Sequence, residues 1–340
     1  MNIQSVHNIS ITGITAAVPK QTVTNPTNRS TKLTGVRERR VAVDGTCTSD
    51  LCYTSADALL NELGINRTEV DVLIFVSQTP DYKLPVTSAL LQDRLGLSQS
   101  CICFDIPLGC SGYVYGLYIL STLISSGTLR RGLLLAGDTI TREVNSKDGS
   151  TCNLFGDAGT ATLISYDVTA KPIKFNLGTD GSGYKSIIQT DGGSRNKTTK
   201  ESFVEQEDVN GNITTPLDIK LNGAEVYSFG TDKVSEVLQQ FCEQLEIQPS
   251  QIDYVVLHQA NKFMNDRIVS RLGFNNKQAI SSIELFGNTS SATIPLTMVT
   301  NLKQTQQELS ILMCGFGVGL SWASVFIKQS DIYYSNLIQI

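Results

Sequence analysis

The chain has 340 residues, of which 41 % are hydrophobic and 17 % are charged, and its formal net charge is −5. This composition excludes a disordered chain, and the acidic balance excludes a fold that binds nucleic acid through general positive charge. No apolar run approaches the ~20 residues that a membrane-spanning helix needs. Residues 1–12 lack the charged and apolar regions of a secretory signal, so we expect a cytoplasmic protein. Eight cysteines form no C-x-x-C pair and only two histidines are present, so we expect no metal site.

The first half of the chain alternates predicted helices and strands. An amphipathic helix that begins near Ser55 is followed by a polar turn and an apolar strand that ends before Thr79. A helix over Ser88–Leu97 precedes a polar segment with a thiol, which opens a helix over Tyr113–Ile124. The apolar run Gly132–Asp138 then predicts another strand. Strands that alternate with helices favour parallel sheets covered by helices.

The second half of the chain repeats these elements in the same order. Four segments match their counterparts at offsets of 177 to 182 residues: 235–260, 265–274, 283–296 and 308–317. The offset is about half the chain, so we predict two copies of one unit, over residues 1–170 and 171–328. Residues 329–340 form an extension beyond the repeat. Two sheets in one chain must share a layer of helices, so helix and sheet layers are expected to alternate.

Three polar residues lie where predicted strands end: Cys110, His258 and Asn288. Cys110 and Asn288 are counterparts in the repeat, and His258 ends the strand Tyr254–Leu257. Ligands of open α/β sheets bind at the carboxyl ends of the strands, so these side chains are expected to share one crevice. Taken alone, each residue is explained as a buried cysteine, a core histidine or a Gly-Asn turn. Their convergence favours a catalytic site.

The chemistry of these three side chains suits acyl transfer and carbanion formation. Cys110 precedes a helix, whose N-terminus is expected to lower the pKa of the thiol from about 8.5 toward neutrality. A thiolate attacks an activated carbonyl, and neutral histidine and asparagine side chains can donate to an oxygen that becomes negative, as in an enolate. None of the three is a carboxylate, which favours a carbanion formed by loss of CO₂ over proton abstraction. The run Gly315–Gly319 supplies backbone N–H groups for a second oxyanion hole.

Six motifs in this order resemble the β-ketoacyl-[acyl-carrier-protein] synthase III family of the thiolase fold. They are TGVRERRVA at 34–42, LGCSG around Cys110, FGDAGTA at 155–161, HQAN at 258–261, GNTSSA at 287–292 and GFGVGLSW at 315–322. The resemblance covers nearly the whole chain and implies a five-layer αβαβα fold of the α/β class, a homodimer and an acyl carrier protein as partner. It implies that an acyl group passes from a thioester to Cys110. Malonyl-carrier protein then loses CO₂ and condenses with the acyl group to give 3-oxoacyl-carrier protein, and no cofactor or metal is implied.

The resemblance also implies roles for single residues. His258 and Asn288 would stabilise the enolate, and the backbone N–H of Val318 would complete the oxyanion hole beside the cysteine. Leu84 matches a residue that reaches into the acyl pocket of a partner subunit, and Phe316 matches a residue beside the reactive cysteine.

The chain departs from the family pattern where the family binds coenzyme A and the carrier protein. The short segment Lys20–Leu33 lacks the tryptophan that stacks on the adenine, and Gly149 and Leu33 replace two arginines near the nucleotide. Val318 replaces a glycine. The docking arginine after HQAN is absent, and the basic residues that could replace it are Lys262, Arg267 and Arg271. A solvated helix face explains those three charges equally well.

Three other functions remain open from the sequence. An acyltransferase on the same scaffold would pass the acyl group to an alcohol or amine without loss of CO₂. A papain-like cysteine protease also uses Cys, His and Asn, and the 148 residues between Cys110 and His258 fit its spacing, but the internal repeat has no place in that fold. A non-catalytic subunit would keep the fold for dimerisation alone, and the intact trio argues against it.

Overall fold

The computed structural model describes residues 2–340 and contains two mixed sheets with helices on all faces. The strands are β1 Gln4–Val6, β2 Ile9–Val18, β3 Thr22–Thr24, β4 Glu38–Arg40, β5 Val72–Val76, β6 Ile102–Ile106, β7 Arg131–Asp138, β8 Ala158–Tyr166, β9 Ile173–Thr179, β10 Ile187–Ile188, β11 Gln206–Glu207, β12 Ile213–Thr214, β13 Lys220–Leu221, β14 Tyr254–Leu257, β15 Leu309–Gly317, β16 Ser321–Gln329, β17 Tyr333–Tyr334 and β18 Ile338–Gln339. The helices are α1 Arg29–Thr34, α2 Thr48–Glu62, α3 Thr87–Arg94, α4 Gly112–Ile124, α5 Gly223–Ser228, α6 Ser235–Gln244, α7 Lys262–Arg271, α8 Ile283–Phe286 and α9 Thr293–Asn301. A π-helical stretch over Phe229–Val234 joins α5 to α6.

The first sheet has the strand order β17-β2-β8-β7-β5-β6, and β18 also pairs with β2. Strand β5 lies between β6 and β7 and is parallel to both. All five of its residues, Val72–Val76, are apolar and buried, as expected of a strand that is covered on both faces. Strands β5, β6 and β7 are parallel, so they end at one edge of the sheet. The segment with Cys110 follows β6 at this edge, and the polar residues after β5 and β7 lie beside it.

The second sheet has the order β1-β9-β16-β15-β14. Strands β14 and β15 are parallel, with Leu257 opposite Cys314, and their carboxyl ends therefore lie side by side. His258, which follows β14, and Phe316, near the end of β15, lie at the same edge as the end of β5 and share a cavity with Gln78 there. The structure thus confirms the repeated strand–helix unit that the sequence predicts.

Helices α4 and α9 form the middle layer between the two sheets. One apolar cluster joins them to the inner faces of both sheets through residues such as Leu117, Leu296, Ile74 and Val325. Successive residues of a strand face opposite sides, and Leu73 and Phe75 accordingly pack outward on α2 and α3. On the other side, Leu312 and Cys314 pack on α6 and α7. The layer order is αβαβα, as predicted.

The two ends of the chain cross over between the halves. Strand β1 pairs with β9 in the second sheet, although it precedes the first sheet along the chain. Strands β17 and β18, which lie in the predicted extension 329–340, pair in parallel with β2 in the first sheet. The predicted boundary near residue 170 falls in the connection between β8 and β9. Among residues 2–340, no helix is long and apolar enough to cross a membrane.

Candidate active site

Cys110 lies at the start of α4, in a turn where the backbone N–H of Gly112 donates to the carbonyl oxygen of Gly109 at 2.7 Å. The end of β15 passes directly beside it. A Cβ atom on Gly317 would lie 2.7 Å from the sulfur of Cys110, so only glycine allows this approach. The approach brings the backbone N–H of Val318 to the sulfur as a hydrogen-bond donor. The donor predicted at Val318 is therefore in contact with the predicted nucleophile.

The predicted lowering of the Cys110 pKa is wrong. Burial raises the pKa of the thiol to about 11, and the negative charge of Asp138 acts in the same direction. The N–H groups of Val318 and of Cys110 itself favour the thiolate, but they do not outweigh the loss of solvation. The free enzyme therefore holds a neutral thiol at pH 7.

His258 follows β14 and is almost completely buried, with 1 % of its surface exposed. Its backbone N–H donates to the carbonyl oxygen of Cys314 at 2.8 Å, and its Nδ1 lies 2.8 Å from the hydroxyl of Thr293 at the start of α9. The ring meets Phe316 edge to face, with centroids 5.6 Å apart. Burial lowers the pKa of His258 to about 3, so the imidazole is neutral at physiological pH. With Nδ1 engaged by Thr293, Nε2 is the nitrogen available to a ligand.

Asn288 is held at the start of the loop before α9. Its backbone N–H donates to the carbonyl oxygen of Leu154 at 2.9 Å, and its side-chain Oδ1 accepts from the backbone N–H of Ser290 at 2.9 Å. Because the oxygen of the amide is engaged by this N–H, the orientation of the side chain is fixed. The Nδ2 amino group is then free to donate into the cavity.

One cavity of about 360 Å³ contains all three residues. Its floor is formed by the partly accessible Cys110 and by buried side chains, those of His258, Asn288, Ser290 and Phe316. Its other end is formed by half-exposed residues of α1, α5 and α7. This volume lies within the range of cavities that enclose small ligands. The predicted convergence of the cysteine, the histidine and the asparagine on one crevice thus agrees with the structure.

Asp138, which was not predicted from the sequence, lies behind the floor of the cavity and holds two of its segments together. Its Oδ1 accepts from the backbone N–H of Gln78 at 2.7 Å and from the hydroxyl of Ser77 at 3.0 Å. Its Oδ2 accepts from the hydroxyl of Ser291 at 2.9 Å and from the Ser291 backbone N–H at 3.2 Å. The carboxyl is fully buried, and burial raises its pKa against the effect of these donors. It joins the end of β5 to the loop that carries Asn288.

Two further lining residues, Ile219 and Leu221, were not predicted. They belong to the irregular region after β10, where β13 pairs with β10. The signal available in the sequence was weak, because an isolated short apolar pair in a polar segment is equally typical of a surface hairpin.

The other predicted site residues lie in different places. Phe316 lines the cavity, whereas Leu84 is 85 % exposed and lies outside it. Lys262, Arg267 and Arg271 are exposed on α7, whose first turn lines the open end of the cavity. Lys262 forms an ion pair with Asp266, and Arg271 pairs with Asp232 at 3.1 Å. Within residues 2–340, Arg267 forms no ion pair, so it is the cation of this group with its charge uncompensated.

Comparisons with known proteins agree with this architecture. Residues 104–181 match the family model of 3-oxoacyl-[acyl-carrier-protein] synthase III, and residues 242–329 match the model of its C-terminal region. A β-ketoacyl-[acyl-carrier-protein] synthase III of Natranaerobius thermophilus is 33 % identical over 88 % of this chain and 89 % of its own length. A second such synthase, from Halalkalibacterium halodurans, is 32 % identical over 95 % of this chain and 97 % of its own length.

Solved structures show the same similarity over the full length. A 3-oxoacyl-(acyl-carrier protein) synthase from Burkholderia xenovorans superimposes with a TM-score of 0.93 at 33 % identity, and the match covers 100 % of this chain and 99 % of that one. The chain therefore belongs to the β-ketoacyl-[acyl-carrier-protein] synthase III family of acyl-transferring condensing enzymes, and it has the thiolase-like fold of that family.

Proposed function

We propose that this protein transfers an acyl group from a thioester to Cys110 and then condenses it with malonyl-acyl carrier protein, with loss of CO₂. The observation that supports this proposal is the floor of the cavity. There a thiol accepts a backbone N–H from Val318, and two neutral donors, on His258 and Asn288, face the same space. The relatives named above are synthases of 3-oxoacyl-carrier protein, and the same reaction follows from these residues.

The first step is a thioester exchange. The sulfur of Cys110 attacks the acyl carbonyl, and the tetrahedral oxyanion is stabilised by backbone N–H groups at the sulfur, those of Val318 and Cys110. The carbon–sulfur bond of the donor then breaks. The exchange is neutral in protons overall, because the proton of the Cys110 thiol ends on the departing thiol. The high pKa of Cys110 makes this proton transfer part of the step rather than a preceding equilibrium.

The second step forms the new carbon–carbon bond. The malonyl group loses CO₂, and the electron pair of the broken bond moves onto the thioester oxygen as an enolate. Nε2–H of His258 and Nδ2–H of Asn288 donate to this oxygen. The donor form of Nε2 requires the Thr293 hydroxyl to donate to Nδ1, at 2.8 Å, and not to the carbonyl oxygen of Ser290, which lies 3.1 Å from the same hydroxyl. The enolate carbon attacks the acyl carbonyl, the bond to Cys110 breaks, and the thiolate takes one proton from solvent. The products are CO₂, 3-oxoacyl-carrier protein and the free thiol.

An acyl carrier protein is the proposed partner, and α7 is its proposed docking surface. Phe263 of α7 lines the open end of the cavity, and Arg267 lies one turn further along the same helix. A carrier that docks at Arg267 would therefore hold its prosthetic arm beside the entrance. Most of the support comes from this adjacency, since Lys262 and Arg271 are paired with acidic neighbours.

A homodimer is also part of the proposal. Strand β6 is the edge strand of the first sheet, and Ile102 on it is 46 % exposed. An exposed apolar edge strand is a template for pairing with a second chain. Leu84 lies in the loop before α3, and α3 packs beside β6. The side chain of Leu84 is exposed and can therefore reach into a neighbouring copy. Light scattering should give twice the chain mass of 37.0 kDa, and Ile102→Asp should shift the protein to monomer.

We also propose a cytoplasmic location, because all eight cysteines are free thiols, as is usual in a reducing compartment.

The reaction is tested with a panel of acyl thioesters. We expect the intact mass of the protein to rise by one acyl group, at Cys110, and the label to be discharged by malonyl-carrier protein with one CO₂ per product. Cys110→Ala should take up no acyl group and give no 3-oxoacyl product, while its circular dichroism spectrum stays unchanged. Discharge to an alcohol or amine without CO₂ would instead support an acyltransferase. A wild-type protein that no thioester labels would leave only a non-catalytic role.

A further inference from the structure

The wall of the active-site cavity is uncharged along its whole length. From the buried floor to the open end, every side chain that lines it is neutral. Most of the outer wall is apolar, with Ile140, Leu154, Ile187, Ile219 and Leu221 on it. Such a wall binds a neutral chain well, because it needs no desolvation of charge on either side.

The open end of this cavity is formed by exposed apolar side chains. Leu33 on α1 is 49 % exposed and Phe263 on α7 is 51 % exposed, and both line the cavity. The ring of Phe263 stacks on Tyr227, with centroids 5.5 Å apart and planes 16° apart. These three residues, which we call the apolar collar, present an aromatic and aliphatic rim. Because the exposure of apolar surface to water is unfavourable, a ligand that covers this rim gains free energy from apolar burial.

The lysines beside the apolar collar point elsewhere. Lys32 and Lys262 are neighbours of Leu33 and Phe263 along the chain, but neither lines the cavity. The ammonium group of Lys262 is paired with Asp266, and the stem of Lys262 packs against Gly35. A nucleotide with a diphosphate and a further phosphate is best recognised by cations or arginine forks at the position of its phosphates. The apolar collar offers neither at the rim.

We propose that the apolar collar gives no advantage to the adenine nucleotide of coenzyme A, so that acyl thioesters of the pantetheine arm alone react as well as those of coenzyme A. The acyl group then reaches Cys110 on a carrier-borne arm, and the protein part of the carrier supplies the remaining affinity. This inference rests on the proposed function, because it concerns the donor of the same acylation step. Leu33 and Phe263 occupy the rim positions at which a cation could contact the phosphates of a nucleotide.

The test compares donors that differ only in the nucleotide. Hexanoyl-coenzyme A and hexanoyl-pantetheine, with an acetyl pair beside them, are incubated with the full-length protein, and the acylation rate of Cys110 is read from the intact mass. We expect the two members of each pair to give second-order rate constants within about threefold of each other. A preference of tenfold or more for the coenzyme A thioesters would overturn the inference. Failure of every donor to label Cys110 would instead overturn the proposed acylation itself.

The second part of the test uses a variant that is expected to gain a preference for coenzyme A thioesters. In the double variant Leu33→Arg with Phe263→Arg, two cations are placed at the rim, and the ratio of coenzyme A to pantetheine rate constants should rise at least fivefold. The matched control is Leu33→Gln with Phe263→Gln, which removes the same apolar surface without adding charge and should leave the ratio within twofold of wild type. Both positions are half exposed, so both variants should fold, and thermal melting checks this. An equal ratio in the two double variants would contradict the role of the apolar collar.

Discussion

The floor and the rim of the cavity differ in their burial and in the interactions that hold their side chains. At the floor, the two side chains that donate hydrogen bonds are buried and fixed by short hydrogen bonds: His258 by Thr293, and Asn288 by Ser290. At the rim, the apolar collar is half exposed, and its members are held only by stacking and by the helices that carry them. Transition-state stabilisation demands fixed donors, whereas admission of a flexible arm demands only an apolar, open surface. Changes at the floor should therefore reduce kcat, and changes at the rim should affect KM or donor choice.

The largest effect is expected from the donors at the floor. Asn288→Ala removes one hydrogen bond to the enolate and should lower the rate of condensation by about 10²–10³, the usual cost of one oxyanion donor. Acylation of Cys110 should change by less than about threefold, because that step uses the backbone donors. Intact mass measures acylation, and release of ¹⁴CO₂ measures decarboxylation. Equal losses in both steps would contradict the division of labour between the two sets of donors.

The pH dependence of the two steps should differ. The pKa of Cys110 is raised to about 11, so the thiolate fraction grows about tenfold per pH unit between pH 6 and 9. Alkylation of Cys110 by iodoacetamide should follow this slope. The pKa of His258 is lowered to about 3, so the imidazole stays neutral and condensation by the pre-acylated enzyme should be level between pH 5 and 8.

Two outcomes would break this expectation. A plateau in the alkylation rate near pH 7 would mean that the start of α4 does lower the pKa of Cys110 and outweighs burial. A loss of condensation between pH 7 and 5 would mean that His258 takes up a proton in the normal range. Quench experiments on the acylated and the free enzyme separate these two cases.

A smaller effect is expected from the support behind the floor. In Asp138→Asn, an amino group replaces a carboxylate oxygen that accepts from Ser291 or from Gln78 and Ser77. One buried donor is left without a partner, which costs about 1–3 kcal/mol, and the melting temperature should fall by several degrees. The condensation rate should fall about tenfold as the loop with Asn288 loses its anchor.

Asp71→Asn is the control for this variant. Asp71 is a half-buried carboxylate that accepts from the backbone N–H groups of Arg130 and Arg131, at the end of β5 that lies away from the cavity. This variant should also lose stability, but it should keep the rate of condensation per folded molecule. If the two variants lose the same activity, Asp138 has only a structural role.

The smallest effect is expected outside the cavity. Arg267→Glu reverses the uncompensated charge on α7 and should raise KM for malonyl-carrier protein by about three- to tenfold at low salt, with kcat unchanged, because surface charges affect encounter more than chemistry. Lys303→Glu makes the same charge change on an exposed residue before β15 and should leave KM unaltered. A similar rise in both variants would show a general effect of net charge and not a docking site.

The layers and the trio could be predicted because they depend on local patterns and on a repeat. Buried strands such as Val72–Val76 are apolar without interruption, and the shared offset of Cys110 and Asn288 indicates one edge. The crossover of β1, β17 and β18 could not be predicted, since two- or three-residue strands have too little pattern to show a distant partner.

The parts of the site that could not be predicted from the sequence depend on burial. The start of a helix favours the thiolate of Cys110, and only the packing of β15 on it reveals the desolvation that reverses the sign. Asp138 reads as the polar end of an apolar strand, and its five hydrogen bonds become visible only when β5 and the loop after α8 meet. Ile219 and Leu221 reach the cavity through the pairing of β13 with β10.

The most direct test of the central claim is a single-turnover experiment on the pre-acylated protein. Malonyl-carrier protein is added to enzyme with one acyl group on Cys110, and the intact mass, the released CO₂ and the product mass are followed together. The proposed mechanism predicts that one acyl group leaves Cys110 for each CO₂ and each 3-oxoacyl-carrier protein formed. An acyl group on any residue other than Cys110, or its discharge without CO₂, would contradict it.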